Sequence, residues 1–244
     1  MDHESRPLRI KEMHPTDVRA RISHRPALII PVGSTEQHGA HLPLGTDTLI
    51  VDRLADDISA RFQILRAPTI EFGVNVTAGP PVGGGASLRR KTLHRFMNEL
   101  IESWEEGAGI REFFILTAEG FEPHQEALST VVVTEAQVQV IDVFAMQFGH
   151  LLERPGGPVH GGELDTSLLL FIAPHLVRME VAQDTEMPAK TAAKYSRGGR
   201  MRRVVGLHSG IGHPSLASAE KGQALYQFMF ERVAERCFTQ QESR

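Results

Sequence analysis

The strongest constraint on this chain is a repeated pairing: a short, wholly apolar run, then a longer segment with apolar residues every three or four positions. Ala27-Leu28-Ile29-Ile30-Pro31-Val32 stops at Gly33, which is the pattern of a buried strand. Thr46 to Arg61 follows, with Leu49, Ile50, Leu54 and Ile58 on one helical face. Gln63 to Phe72 reads as a second extended segment, and a glycine- and proline-rich loop runs from Gly79 to Gly85. Leu93, Phe96, Met97, Leu100, Ile101 and Trp104 have helical spacing, with Gly107 as the stop, and this stripe is read as core packing. Glu112 to Thr117 is a third strand. It precedes a helix over Pro123 to Ala136 and a strand over Val138 to Phe144. A buried helical element is expected over Leu164 to Ile172, and a last long helix over Ser215 to Cys237.

Strands alternating with helices predict an α/β fold, a three-layer α/β/α sandwich around a mainly parallel sheet. No linker or internal repeat divides the 244 residues, so the expectation is one domain over 1–244, with 1–26 as an extension or first element. In such sheets ligands sit beyond the carboxyl ends of the strands. The loops after Val32, after Thr117 and before Leu164 all carry acidic residues or histidines.

A net charge of −4 offers no general attraction to nucleic acid or anionic membranes. One basic cluster, Arg197, Arg200, Arg202 and Arg203, has two readings: an exposed loop, or a clamp for an anionic substrate group. The single cysteine, Cys237, excludes an intramolecular disulfide and is read as a buried thiol in a reducing compartment. No signal-peptide core and no membrane-spanning stretch is present, so a cytoplasmic protein is expected.

The chemistry sits in two motifs. In Gly33-Ser34-Thr35-Glu36-Gln37-His38-Gly39, Glu36 and His38 are two residues apart, so an extended backbone would point both into one cavity. Asp47 opens the next helix. A mixed carboxylate and imidazole set suits Zn, Mn or Fe better than Ca. In His160-Gly161-Gly162-Glu163-Leu164-Asp165-Thr166-Ser167, paired glycines allow close backbone approach. There Glu163 begins a helix, and His160 titrates in the range useful for acid/base work.

The stretch from Pro31 to Thr48 closely resembles the signature of the creatininase (creatinine amidohydrolase) family. The segment His160 to Ser167 and the segment Gly210-Ile211-Gly212-His213-Pro214 with Ala217 to Gly222 support it, and the resemblance covers about residues 27 to 235. It implies the three-layer fold and two divalent metal ions (Zn, Mn or Fe). By that resemblance Glu36 binds one ion, His38 the other, Asp47 bridges both, and Glu163 completes the ligand set of the second metal. His160 moves the proton. The implied activity is hydrolysis of an amide or cyclic amide C–N bond in a small polar molecule by a metal-bound hydroxide, in a homo-oligomer that is often a hexamer. Two further readings are C–C ring opening of an inositol-derived cyclic diketone and a non-catalytic binding protein.

The chain departs from the family after its third strand. Relatives carry Asn-Gly-His-Gly-Gly-Asn there, and this chain reads Thr117-Ala118-Glu119-Gly120-Phe121-Glu122-Pro123-His124. An ungapped alignment puts Glu119 in place of the metal-binding histidine, which hardens the site. A one-residue gap would instead give Glu122 a role at the second metal and leave His124 to substitute. The candidate site is therefore Glu36, His38, Asp47, Glu119 and Glu163 as metal ligands, with His160 and Glu122 as catalytic residues. The only tryptophan, Trp104, falls on a core helix, so the aromatic enclosure creatininase uses for creatinine is not expected.

Overall fold

The fold, taken from a computed structural model, is described for residues 6–75, 84–154, 160–186 and 210–238. Five strands, β1 (Leu8–Arg9), β2 (Ala27–Val32), β3 (Leu65–Arg66), β4 (Glu112–Thr117) and β5 (Gln137–Asp142), form one sheet in the order β1-β3-β2-β4-β5. Every pairing is parallel. The β2–β4 register runs without a break from Ala27 opposite Glu112 to Val32 opposite Thr117. This is why their following loops emerge side by side.

The period of two in the strands sorts the core into two halves. Ala27, Ile29, Phe114 and Leu116 face one layer, built from α2 (Thr46–Phe62), α5 (Glu163–Ile172) and α6 (Ala219–Cys237). Leu28, Ile30, Val32, Phe113 and Ile115 face the other, which holds α3 (Arg90–Glu102) and α4 (Glu122–Ser129). Val18 and Ile22 of α1 (Pro15–His24) pack against that second half. Both faces of the sheet are covered, so the strands can be apolar throughout, as parallel sheets require. The architecture is the expected α/β/α sandwich. Trp104 packs into the second half and Cys237 is buried in the first. Among the described residues no helix is long and apolar enough to cross a membrane.

Three boundaries differ from the sequence reading for local reasons. The α4 helix ends at Ser129 and does not reach Ala136, because Thr130-Val131-Val132-Val133-Thr134 is a β-branched run. Beyond it, the buried Glu105 carboxylate takes the amide protons of Thr134, Glu135 and Ala136 at 3.1, 2.6 and 2.7 Å. The last helix begins at Ala219, where Ser218 Oγ accepts from the Lys221 amide at 3.1 Å as its cap. The extended segment after Gln63 shrinks to Leu65–Arg66, with Ile70 adding a single bridge to Val32.

The first residues are tied into the body of the fold. Arg9 of β1 pairs with Asp56 at 2.6 Å, and the fully buried Arg66 reaches the same carboxylate at 3.0 Å.

Candidate metal centre

Four segments of the chain meet at the carboxyl end of the sheet. The loop after β2 supplies Glu36 and His38, and the first turn of α2 supplies Asp47. The loop after β4 adds Glu119, and the turn into α5 adds His160 and Asp165. Glu36, His38, Asp47, Glu119 and Asp165 are all buried, at 1–7% exposure, and the His160 side chain retains 14%. So many ionisable groups are collected in one dry place only if something offsets their charge.

Backbone geometry brings the loops this close. A side chain on Gly33 would strike the Thr48 backbone, so α2 can start directly against the end of β2 only with glycine there. Gly161 has φ of 76°, and a Cβ on it would collide with the His38 carbonyl oxygen.

Asp47 is the hinge of the cluster. Its Oδ1 lies 3.1 Å from His38 Nε2, and its Oδ2 accepts from Ser34 Oγ at 2.8 Å. Glu119 Oε1 accepts from the Phe121 amide at 2.8 Å, while its Oε2 is buried without a partner. Glu36, Asp47 and Glu119 each offer an oxygen within 4.8 Å of the other two. Glu36, His38 and His160 form a second such group. The His160 ring stacks on His38 with centroids 4.2 Å apart. Its Nε2 bonds to the Gln37 carbonyl, which can only accept, so Nε2 carries the proton. The other nitrogen, Nδ1, stands 3.9 Å from Glu36 Oε1.

Electrostatics follows from this crowding. Burial, then the neighbouring Glu119, pushes the Glu36 carboxyl well above its ordinary range. Burial and the Asp47 charge push Glu119 up to about 7. Burial works against the charged form of His38, but its contact with Asp47 wins and holds it up at about 9. Asp47 is likewise penalised by burial yet lowered overall by His38 and Ser34. His160 is pushed down to about 3 by burial and by the nearby His38.

The donor set fits divalent cations on grounds internal to the structure. Two buried polar atoms here, His38 Nδ1 and Glu119 Oε2, have no partner, and leaving such atoms unsatisfied costs about 1–3 kcal/mol each. Their neighbours are carboxylate oxygens and imidazoles, the ligands of Mn, Fe and Zn.

Five of the residues expected from sequence, Glu36, His38, Asp47, Glu119 and His160, are brought together, and two are not. Glu122 is exposed in the first turn of α4, outside the cluster. Glu163 turns away: its carboxylate meets Lys221 Nζ and accepts from the amides of Glu153 at 3.0 Å and Arg154 at 3.3 Å. The alternative ligand His124 has both ring nitrogens engaged, Nδ1 accepting from the Val74 amide at 3.1 Å and Nε2 facing Thr117 Oγ1 at 3.0 Å. Burial pushes that ring down to about 4, and its role is to pin the loop. The basic cluster Arg197 to Arg203 lies outside the described residues.

The residue that sequence reasoning missed is Asp165. Its Oδ2 accepts from the Gly161 amide at 2.6 Å, and its charge acts on Glu36 and His38. Residues two apart on a helix point about 200° away from each other, so only one of Glu163 and Asp165 can face the cluster. The signal that could have found it is Lys221, a cation available to occupy Glu163.

Carboxylates and imidazoles gathered beyond the carboxyl ends of a parallel α/β sheet define a class of centre suited to metal-assisted hydrolysis. The particular family is shown by comparison: residues 11–237 match the creatininase family, described as creatinine amidohydrolase, and the chain belongs to it. Among its relatives is the 3-dehydro-scyllo-inosose hydrolase of Thermotoga maritima, 27% identical over 84% of this chain and 75% of that one. A mycofactocin precursor peptide peptidase of Mycolicibacterium smegmatis is 28% identical over 86% of this chain and 84% of that one. A crystal structure of creatinine amidohydrolase (creatininase) superposes with a TM-score of 0.75 at 20% identity, covering 96% of this chain and 97% of that one. It has the same fold. The chain is thus a hydrolase-family protein whose relatives act on different molecules.

Proposed function

We propose that this protein is a metal-dependent hydrolase with two divalent cations, opening an amide or cyclic-amide C–N bond in a small polar substrate. The observation that carries the reading is the buried carboxylate group Glu36–Asp47–Glu119 with His38 against it, in which two atoms, His38 Nδ1 and Glu119 Oε2, are unsatisfied. Glu36, His38, Asp47, Glu119 and Asp165 would hold the cations. When bound, such ions lower the pKa of a coordinated water and polarise a substrate carbonyl.

The chain's own residues supply the rest. Ser34 and His38 fix the Asp47 carboxylate so that both its oxygens are directed. Gln37 anchors His160 through Nε2, which leaves Nδ1 on the Glu36 side to take up or deliver the proton a leaving nitrogen needs. Burial of Glu36, His38, Asp47, Glu119 and Asp165 at 7% or less keeps bulk solvent from competing with them, while the His160 side chain retains some exposure. The site is assembled without a tryptophan, because Trp104 packs in the opposite half of the core. Creatinine is for that reason not the substrate proposed, and assembly as a homo-oligomer is part of the same reading.

The test is incubation of the Mn- or Zn-loaded chain with a panel of cyclic and linear amides, scoring ammonia or amine release. No release from any amide, with turnover of a cyclic diketone, would replace this reading by C–C hydrolysis. The similarity to the Thermotoga maritima inosose hydrolase favours that second reading.

A further inference from the structure

His124 lies in the first turn of α4, wholly buried, with its ring wedged against two other segments of the chain. The Val74 amide donates to its Nδ1 at 3.1 Å, so that nitrogen carries no proton. Burial keeps the ring neutral by pushing it down to about 4, and its one proton therefore sits on Nε2. From there it donates to Thr117 Oγ1 at 3.0 Å. The same Oγ1 accepts from the Glu119 amide at 3.2 Å. We propose that His124 is a positioning residue for Glu119: as the Nε2-protonated tautomer it holds the Thr117 hydroxyl where it receives the Glu119 amide, and so aims the Glu119 carboxylate at Glu36 and Asp47. The inference rests on the metal-hydrolase reading. It goes beyond that reading by making one tautomer of a residue that binds no metal a condition for metal binding.

Each contact in this series is directional. A hydroxyl oxygen has two lone pairs, and on Thr117 the His124 and Glu119 N–H groups occupy both. The Glu119 carbonyl accepts from Gln125 Nε2 at 2.5 Å, so the peptide units on both sides of its Cα are fixed. With the Phe121 amide on Oε1 at 2.8 Å, Oε2 is the atom left without a partner, on a residue of the three-carboxylate group. A glycine makes room for the ring: a Cβ on Gly73 would lie 2.7 Å from His124 Nδ1 and 2.9 Å from the Gly33 carbonyl oxygen. The Val74 contact selects the tautomer, and the Thr117 contact passes that choice to the loop carrying Glu119. With the proton on Nδ1 instead, two donors would face each other at Val74, and the Thr117 oxygen would lose one of its own.

The two ring contacts can be separated by substitution. An Asn side chain reaches as far as Nδ1 and can keep an acceptor for Val74, whereas a Gln side chain reaches as far as Nε2 and can keep a donor for Thr117. If filling space were the whole role, the two replacements would act alike. Groups that orient a metal ligand from behind are worth about tenfold to a hundredfold in metal affinity.

The experiment uses the full chain, stripped with a chelator, with Mn²⁺ alone as the probe and its dissociation constant read by electron paramagnetic resonance. His124→Asn should weaken Mn²⁺ binding by about tenfold to a hundredfold, while His124→Gln stays close to wild type. Thr117→Val keeps the shape but removes the oxygen and should match His124→Asn, and Thr117→Ser should restore binding. Urea unfolding of the metal-free variants is measured alongside, and Mn²⁺ affinity should not follow the order of stability. Nitrogen NMR of the wild type with isotope-labelled histidine should show His124 unprotonated at Nδ1 and protonated at Nε2. Equal Mn²⁺ binding by His124→Asn and His124→Gln, wild-type binding by Thr117→Val, losses that simply track stability, or a proton on Nδ1 would overturn the inference while leaving the hydrolase reading intact. A wild type that binds no Mn²⁺ would overturn both.

Discussion

Asp47 and Glu119 both face the cluster, yet they are held differently, and their replacements should be distinguishable. Asp47 contacts His38 through one oxygen and Ser34 through the other, from a position between the two donor groups. Asp47→Ala should therefore abolish binding of both ions, while Glu119→Ala should weaken mainly one. Metal content per chain reads this directly, and two ions retained by Asp47→Ala would refute the bridging role. Stability of the metal-free protein should respond to pH at the same residues. Glu119 is raised to about 7 by burial and Asp47, and His38 to about 9 by Asp47 against the effect of burial. Groups with raised pKa values stabilise the fold below their unfolded pKa, and that contribution is lost as pH climbs through the folded value. His160 and His124 are lowered, so their contribution changes below about 6.5, the ordinary histidine value, and not above it. With a chelator present, the midpoint of urea unfolding should thus fall steadily from pH 6.5 to 9. A midpoint that rises over that window would contradict the arrangement of charges.

At the level of elements, the start of α5 shows how a buried ion pair shapes the site without belonging to it. Glu163 binds Lys221 of α6 and also accepts two amides from the 153–154 loop, and Lys221 Nζ donates to the Leu216 carbonyl at 2.6 Å. One carboxylate ties two elements to the turn that carries His160 and Asp165. Lys221 is partly exposed and keeps Glu153 as a second partner, so losing the Glu163 carboxylate with its two amide bonds costs about 1–3 kcal/mol. Glu163→Ala should lower unfolding stability by that order while the chain still binds its metals. Loss of metal with stability unchanged would instead make Glu163 a ligand. The same element marks where the sequence stops being legible. The apolar runs in Ala27–Val32 and Glu112–Thr117, and the spacing of Glu36 and His38, are properties of neighbours along the chain and can be read from it. The choice between Glu163 and Asp165 depends on a lysine 58 positions away, and the exposure of Glu122 depends on where α4 starts. Those are facts of tertiary packing, which local periodicity does not encode.

For the whole molecule, the sheet carries the site at one end while both layers of core stabilise it from below, so cation binding and global folding are linked. Glu36, Asp47, Glu119 and Asp165 come from four separate segments, and an unfolded chain cannot present them together. A cation that binds only the folded form stabilises it by about 2.7 kcal/mol at a hundred times its dissociation constant. For a chain of 244 residues, 1 kcal/mol moves the melting temperature by about 2–4 °C. Saturating Mn²⁺ should therefore raise the melting temperature of the chelator-treated protein by about 5–10 °C. The increment should shrink below pH 7, because a cation must then displace a proton from Glu119 before it can bind. Asp47→Ala should show almost no increment at any pH. Differential scanning calorimetry at pH 6 and pH 8, with and without Mn²⁺, separates these outcomes. An equal increment in wild type and Asp47→Ala would place the bound ion somewhere other than this cluster.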